Sequence, residues 1–299
     1  MKILSFGSMN IDNTYSVDEF VQPGETMTAK NLSKFCGGKG LNQSIALASA
    51  GADVAHFGCV GEDGDILLDM LKSRGVNTDS VIKIDNITSG HAIIQVDSHG
   101  QNSILLYPGA NRRMTPELID RELEKYSCGD WLLIQNETNC LEYIMRAANK
   151  KGMKIAFNPS PMDGTVSTLP LELVDLFLVN EIEGAAVTGK EITEEITAEF
   201  EKLFPNAAVI LTLGKKGSIF KSGKDMLFQP SYCGTVKDTT GAGDTYTGFF
   251  IANYIKGVSP QECMRIAAMA STVQISRDGA AIAIPKKQEV LNALKNHCR

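Results

Sequence analysis

The sequence predicts an α/β protein: a mostly parallel, Rossmann-like central sheet flanked by helices, with a small antiparallel β lid inserted into it. Two observations carry this prediction. Short apolar runs alternate with segments of helical periodicity, and β-leaning pieces interrupt that alternation. Since we find no Ser/Gly-rich linker, low-complexity tract or internal repeat, we expect a single domain over residues 1–299.

Short apolar runs bounded by polar residues are typical of buried parallel strands. They lie at 3–6, 54–60, 131–135, 154–157, 176–179 and 209–213. Helical periodicity lies at 41–50, 66–74, 116–125, 141–151, 194–203, 260–276 and 286–296. Strands that alternate with helices favour a parallel sheet covered on both faces.

The β-leaning pieces indicate a second, smaller sheet. They lie at 14–21, 27–35, 91–96 and 103–107. Turn signals separate them at Pro23-Gly24 and at Ser98-His99-Gly100. We expect lid segments at approximately 14–36 and 89–108, which close over a ligand.

Composition excludes some classes of function. The chain is 43% hydrophobic and 21% charged, with a formal net charge of −6, so a generic nucleic-acid surface is not expected. The N-terminal apolar run is too short for a signal peptide, and no run is long enough to span a membrane. We therefore expect a cytoplasmic protein without nucleic-acid or membrane partners.

The cysteines and histidines suggest neither disulfides nor zinc. Seven cysteines are scattered along the chain without a CxxC pair, a pattern that favours reduced thiols. The four histidines show no i, i+4 pairing of the kind found on metal-binding helices. Packing or surface roles are expected for them.

The run Asp238-Thr239-Thr240-Gly241-Ala242-Gly243-Asp244 stands directly before a helix-compatible stretch at 245–256. Its glycines allow backbone N–H groups to converge on an anion at a helix N-terminus. Asp244 is unusual there, because its negative charge would repel a bound anion. The repulsion is relieved if the carboxylate takes up a proton during the reaction. These features suit the base of a phosphoryl transfer. The alternative is an ordinary turn in which Asp244 flanks the helix.

Polar residues follow most of the apolar runs. Ligands of open parallel sheets bind beyond the carboxyl ends of the strands, so these residues predict a shared cleft, although each alone suits an ordinary turn. They are Gly7-Ser8-Met9-Asn10-Ile11-Asp12, Asn136-Glu137, Asn158-Pro159-Ser160, Asn180-Glu181 and Thr212-Leu213-Gly214.

A second glycine cluster, Gly37-Gly38-Lys39-Gly40, opens the helix that carries Asn42. Close glycines permit backbone approach to a ligand, while Lys39 and Asn42 supply donors for a polyhydroxylated molecule. The alternative is a flexible turn with a solvated lysine. Neither GxxxxGK[ST] nor a GxGxxG in the first βα turn is present, which disfavours a P-loop NTPase and a dinucleotide fold.

Five motifs, taken in order, resemble those of the ribokinase-like sugar kinases, the PfkB family: GSMNID, GGKGLN, NEIE, TLGKKG and DTTGAGD. The resemblance spans nearly the whole chain and implies ATP-dependent phosphorylation of a sugar, with D-ribose as the expected substrate. A kinase of the same family acting on a nucleoside, deoxyribose, fructose or a keto-deoxy sugar acid stays open. So does a sugar-responsive binding protein without catalysis.

The resemblance also implies roles for individual residues. Asp244 matches the general base, and Gly241, Ala242 and Gly243 match the anion hole. The matching sugar-binding residues are Asn10, Asp12, Gly38, Lys39, Asn42, Glu137 and Asp244. The matching ATP-binding residues are Asn180, Thr212, Gly214, Gly217 and Gly243, with adenine expected against 267–271.

Two metals and a dimer follow from the same resemblance. Glu183 of the NxxE motif is expected to organise Mg²⁺ through water. A K⁺ activator is expected on the Asp238 carboxylate and on the carbonyls of Thr240, Gln274, Arg277, Gly279 and Ala283. Ala283 carries no hydroxyl, so a side-chain ligand is lost there. The resemblance implies a homodimer formed through the β lid, and leaves the roles of Arg112 and Arg113 open.

Overall fold

The protein is described here by a computed structural model covering residues 1–297. Two sheets are present in that range. The larger has nine strands in the order β13-β12-β11-β10-β9-β8-β1-β4-β5, and the smaller has four in the order β3-β2-β6-β7. The predicted fold class is therefore confirmed. Cys298, predicted as a reduced thiol, lies outside the described residues.

The large sheet is parallel from β11 to β5 and antiparallel only at the β11-β12-β13 edge. Its strands are β1 Ile3–Phe6, β4 Val54–Val60, β5 Val81–Lys83, β8 Trp131–Gln135, β9 Lys154–Asn158, β10 Leu176–Asn180, β11 Ala208–Thr212, β12 Ser218–Ser222 and β13 Asp225–Gln229. Each predicted apolar run forms one of these strands. The β12-β13 hairpin was not predicted, because its strands are partly exposed and their apolar runs are only two and three residues long.

The small sheet contains β2 Asn10–Ser16, β3 Asn31–Gly37, β6 Gly90–Val96 and β7 Asn102–Tyr107. Its outer pairs are antiparallel, while the central pair β2-β6 is parallel. β2 begins four residues before the predicted strand, which puts Asn10 and Asp12 on the sheet rather than in a turn. Alternation of side chains along β2 then decides which face Asp12 occupies.

Helices cover both faces of the large sheet, as predicted. They are α1 Lys39–Ser49, α2 Asp65–Ser73, α3 Pro116–Leu123, α4 Leu141–Lys150, α5 Glu181–Thr188, α6 Thr193–Leu203, α7 Ala242–Tyr254, α8 Pro260–Ile275 and α9 Lys287–His297. One core cluster packs α1, α7, α8 and α9 against one face, and a second packs α3, α4 and α6 against the other. Helix α7 is buried from Asp244 to Asn253, so it runs through the first core rather than over it.

Parallel pairing brings the polar strand ends together. Neighbouring strands β11, β10, β9, β8 and β1 all finish at the same edge of the sheet, and α1 and α7 begin there. Helix α1 approaches β1 closely, since a Cβ on Gly40 would lie 2.5 Å from the Gly7 carbonyl carbon. The motifs from five parts of the chain thus share one edge.

Candidate active site

The glycine turn at the start of α7 has the conformation of an anion site. Gly241 is the N-cap residue with φ 76° and ψ 5°, a left-handed backbone that favours glycine. The helix begins at Ala242, three residues earlier than predicted, so Asp244 lies in its first turn. The N–H groups of that turn carry the positive end of the helix dipole, and that of Ala242 also donates to the Thr239 carbonyl at 3.2 Å.

The Asp244 carboxylate is 7% exposed and is held by two amide side chains of α1. Asn42 Nδ2 donates to its Oδ2 at 3.0 Å, and Gln43 Nε2 donates to its Oδ1 at 2.9 Å. Each carboxylate oxygen therefore receives one neutral donor. This arrangement fixes the orientation of the carboxylate without neutralising its charge.

Gln43 belongs to a buried chain of amides that connects three elements. Its Oε1 accepts from Gln135 Nε2 at 2.7 Å, and its Nε2 also donates to Asn158 Oδ1 at 3.0 Å. Because Gln135 already fills its acceptor, Gln43 must direct its nitrogen to Asp244. Gln43 and Gln135 were missed as site residues; Gln43 directly follows Asn42 in the glycine-cluster motif, which is the signal that could have found it.

Asp12 and Asn10 project from β2 toward the start of α1. A Cβ on Gly37 would lie 2.0 Å from Asp12 Oδ2, so the carboxylate fills the space that this glycine leaves open. Asn10 is buried, and its Oδ1 accepts from Asn111 Nδ2 at 2.8 Å. Because this bond uses the amide oxygen of Asn10, the amide nitrogen faces away from Asn111 and can donate to a ligand. No sequence signal had pointed to Asn111.

Glu137 joins the GSMNID and GGKGLN motifs through hydrogen bonds. Its Oε2 accepts from the Lys39 backbone N–H at 3.0 Å and from the Ser8 hydroxyl. Gly38, the residue before α1, has φ 93°, and a Cβ there would lie 3.1 Å from the Asn10 nitrogen. Backbone and side chains are therefore closely packed around this carboxylate.

Burial sets the charges of this polar group. It raises the pKa of Asp12 to about 6, and the neighbouring Glu137 charge adds to the effect. Burial also raises the pKa of Glu137. The hydrogen bond from Ser8 and the charge of Lys39 act to lower this pKa, but burial outweighs them. Burial acts to lower the pKa of Lys39, but the carboxylates of Asp244, Glu137 and Glu183 outweigh it and the pKa is raised. Lys39 is thus kept as a cation among three acids.

Two adjoining cavities open at this edge of the sheet. A polar one of about 240 Å³ is lined by Lys39, Asn180, Glu183, Asp244 and the turn 241–243. A larger one of about 580 Å³ is lined by Gly214, Gly217, Tyr232, Ala268 and Ser271. Thr212, Ala242 and Gly243 border both cavities. The predicted ATP-binding residues therefore lie along one continuous cleft.

The NxxE motif begins α5 as a capping box. Asn180 Oδ1 accepts from the Glu183 N–H at 2.8 Å, and Glu183 Oε2 accepts from the Asn180 N–H at 3.0 Å. Asn158 Nδ2 reaches the same Glu183 oxygen at 3.4 Å. The motif therefore has a structural function, and it also holds Glu183 rigidly in the wall of the polar cavity. A rigid carboxylate there suits the predicted contact with Mg²⁺ through water.

The predicted K⁺ ligands come together next to the glycine turn, but the oxygens of Asp238, Thr240 and Gln274 already accept hydrogen bonds. Asp238 accepts from the N–H groups of Thr240 at 2.9 Å and Gly279 at 3.0 Å. The Thr240 carbonyl accepts from the side chain of Gln274 at 2.7 Å, and the Gln274 carbonyl accepts from the Arg277 N–H at 2.9 Å. The loop does not fit the cation that the resemblance implies.

Other predicted features fall outside the cleft. Arg112 and Arg113 are exposed and line neither of the two cavities.

Within residues 1–297 no cluster of three or more His, Cys, Asp or Glu side chains suited to a metal is found, and the six described cysteines are free thiols. None of the described helices is long and apolar enough to cross a membrane.

Known proteins share this architecture and these motifs. A family model described as pfkB family carbohydrate kinase matches residues 1–287. The chain belongs to the pfkB family of carbohydrate kinases. A ribokinase from Haemophilus influenzae is 33% identical over 299 residues, which cover 97% of each protein. The chain is accordingly a ribokinase-type phosphotransferase with an alcohol group as acceptor.

Solved structures agree with this assignment of pfkB family membership. A ribokinase from Thermotoga maritima superposes with a TM-score of 0.88 at 32% identity, over 98% of this chain and 99% of the other. An Arabidopsis thaliana ribokinase complexed with ribose and ATP gives a TM-score of 0.86 at 30% identity, over 98% of both chains. The small sheet and the cleft at the strand ends thus belong to a pfkB-family fold.

Proposed function

We propose that this kinase transfers the γ-phosphoryl group of ATP to the primary 5-hydroxyl of D-ribose, with Asp244 as the general base. The observation that carries the proposal is the placement of Asp244. It is a buried carboxylate in the first turn of α7, next to the turn 241–243 and in the wall of the polar cavity. There a carboxylate that can take up a proton lies beside backbone N–H groups that can hold a phosphate.

The chemistry follows from this placement. Asp244 takes the hydroxyl proton as the sugar oxygen attacks the γ-phosphorus, and the bond to the bridging β-oxygen breaks to release ADP. N–H groups of Gly241, Ala242 and Gly243 stabilise charge on the transferring group. The Lys39 ammonium, kept charged by its acidic neighbours, contributes to the same end.

Mg²⁺ bound with ATP would neutralise charge on the phosphate oxygens. Glu183 and Asn180 lie in the wall of the polar cavity, where they would hold the ion through its water. Their capping box prevents the carboxylate from turning away. Potassium is not part of this function, since a side-chain amide already bonds the Thr240 carbonyl.

The polar residues on β2 and at the start of α1 favour a pentose over an apolar acceptor. Asp12 and Glu137 accept hydrogen bonds from hydroxyl groups, while Asn10 and Lys39 donate. A deoxy-sugar leaves one of these buried groups without a partner, and such a group costs about 1–3 kcal/mol. Ribose is therefore preferred to 2-deoxyribose.

ADP release measured against a panel of sugars tests the substrate. Ribose, 2-deoxyribose, fructose, a keto-deoxy sugar acid and a nucleoside are compared by kcat/KM, and ³¹P–¹³C coupling in the product identifies the phosphorylated carbon. Turnover on another acceptor with none on ribose overturns the substrate assignment. Calorimetric binding of ribose without turnover on any acceptor identifies a binding protein instead.

The small sheet is proposed as a lid that also forms a homodimer. Register places Phe35, Leu106 and Ile104 on the same face as Asp12. These three side chains are 40%, 46% and 58% exposed, an apolar surface that an isolated chain would leave in water. Pairing of two such sheets covers that surface and closes the sugar site against water.

A cytoplasmic location agrees with the thiols and the substrate. The six described cysteines are unpaired, as expected in a reducing compartment.

A further inference from the structure

Gln274 lies fully buried near the end of α8 and contacts the turn that precedes α7. Its Nε2 donates to the Thr240 carbonyl at 2.7 Å, and its Oε1 accepts from the Thr245 hydroxyl. Since a carbonyl oxygen only accepts, the Thr240 contact requires the nitrogen of the amide at that position. Both ends of the side chain are therefore anchored in the glycine turn and the first turn of α7.

The contact with Thr240 controls the direction of a neighbouring N–H group. The peptide bond between Thr240 and Gly241 is planar, so its C=O and N–H point in opposite directions. A donor that holds the Thr240 carbonyl on the α8 side therefore directs the Gly241 N–H away from α8. A Cβ on Gly241 would lie 3.0 Å from Gln274 Nε2, so the side chain packs directly beneath the turn.

Two arginine side chains also donate hydrogen bonds to carbonyl groups of the surrounding loop. Arg277 directs one guanidinium nitrogen toward the Ala283 carbonyl at 3.5 Å and another to Glu289 at 2.5 Å. Arg74 donates to the carbonyls of Ala281 at 3.2 Å and Ile284 at 2.5 Å. Of these three carbonyls, only that of Ala283 belongs to the expected cation ligands, and it faces the permanently charged guanidinium of Arg277.

We propose that Gln274 is a positioning residue that replaces a bound monovalent cation in this kinase. Its amide holds the Thr240 carbonyl, orders the turn 239–241 and presents the Gly241 N–H to the transferring phosphoryl group. The enzyme is therefore independent of K⁺. The proposal rests on the phosphoryl transfer proposed above, because the turn matters only if it binds the transferring group.

The first experiment compares the wild type in KCl and in choline chloride at equal ionic strength, after exhaustive removal of K⁺ and NH₄⁺. We expect kcat on ribose to agree within about twofold between the two salts, a difference too small to reflect a lost transition-state contact. The melting temperature is measured in the same buffers and is expected not to change. Activation by K⁺ of about tenfold or more, or a K⁺-specific rise in melting temperature, overturns the proposal.

Two variants test the side chain itself. Gln274→Met keeps the volume but removes the donor, and we expect kcat to fall about tenfold or more with little change in KM, in either salt. Gln274→Ala opens space beside the Thr240 carbonyl, and K⁺ but not choline is expected to raise both its kcat and its melting temperature. Gln288→Met, on the exposed face of α9, is the control and is expected to match the wild type.

The two proposals fail in distinguishable ways. Absence of turnover on every sugar contradicts the kinase function, while the melting temperatures of the wild type and Gln274→Ala still report cation binding. Full kcat in a folded Gln274→Met variant contradicts the role of Gln274 even if ribose is the substrate. If Gln274→Met does not fold, the salt comparison on the wild type decides alone.

Discussion

Gln43 Nε2 and Asp244 Oδ1 lie 2.9 Å apart although 201 residues separate them in the chain. The contact depends on the close packing of α1 against α7. A Cβ on Gly248 would lie 2.3 Å from Ala46 Cβ, so the helices approach at a position where only glycine fits. The orientation of the proposed base is therefore determined by a helix interface in the core.

Asp244→Asn tests the base directly. The substitution keeps shape and some hydrogen bonding but removes the proton acceptor, so we expect kcat to fall by about 10² or more. Ribose affinity, measured by calorimetry with a non-hydrolysable ATP analogue, is expected to change little. Equal losses of binding and turnover would show that Asp244 is structural.

Gln43→Glu tests whether the amide positions that base. A carboxylate at the same place repels Asp244 and disfavours its ionised form, so we expect the acid limb of the kcat profile to move to higher pH. Gln43→Leu removes the donor without adding charge and should lower kcat with a smaller shift in the same direction. Gln288→Glu is the control on an exposed helix face. If the acid limb of Gln43→Glu lies at the same pH as that of the wild type, the contact does not influence the proposed base.

Ribose binding should weaken in mild acid. The pKa of Asp12 is raised to about 6, so the carboxylate gains a proton as the pH falls through that value and loses an acceptor for the sugar. We expect KM for ribose to rise below about pH 6, while Asp12→Asn has a high KM with a flatter profile. The raised pKa also means that the buried charge of Asp12 destabilises the folded state above pH 6, and protonation below it relieves that cost. Asp12→Asn should therefore be at least as stable as the wild type at pH 8, as measured by thermal unfolding.

Ile104→Glu tests the proposed dimer. A charge on the exposed apolar face of the small sheet should dissociate the dimer, measured by light scattering, and raise KM for ribose because the lid closes less well. Ile192→Glu is a matched control, since Ile192 is 56% exposed and Ile104 is 58% exposed. An Ile104→Glu variant with unchanged mass and KM would place the interface elsewhere.

The predicted strands and helices were accurate where periodicity was strong. The runs 3–6, 54–60 and 131–135 form strands with the predicted bounds. The sequence was less informative at β2, which mixes polar and β-branched residues. The predicted strand begins at residue 14, whereas β2 begins at Asn10. The missed hairpin β12-β13 is an antiparallel edge, where one face of each strand can be exposed and apolar runs are short.

Sequence by itself determined the fold class, the pfkB resemblance and the motifs that line the cleft, because local periodicity and short glycine-rich segments are encoded within a few neighbouring residues. Only the tertiary structure decided which side chains meet. The Gln43 amide on Asp244, the Asn111 amide on Asn10 and the Gln274 amide on Thr240 each join distant segments. Such contacts depend on helix packing and sheet register, which arise from the whole core and have no local signal in the chain.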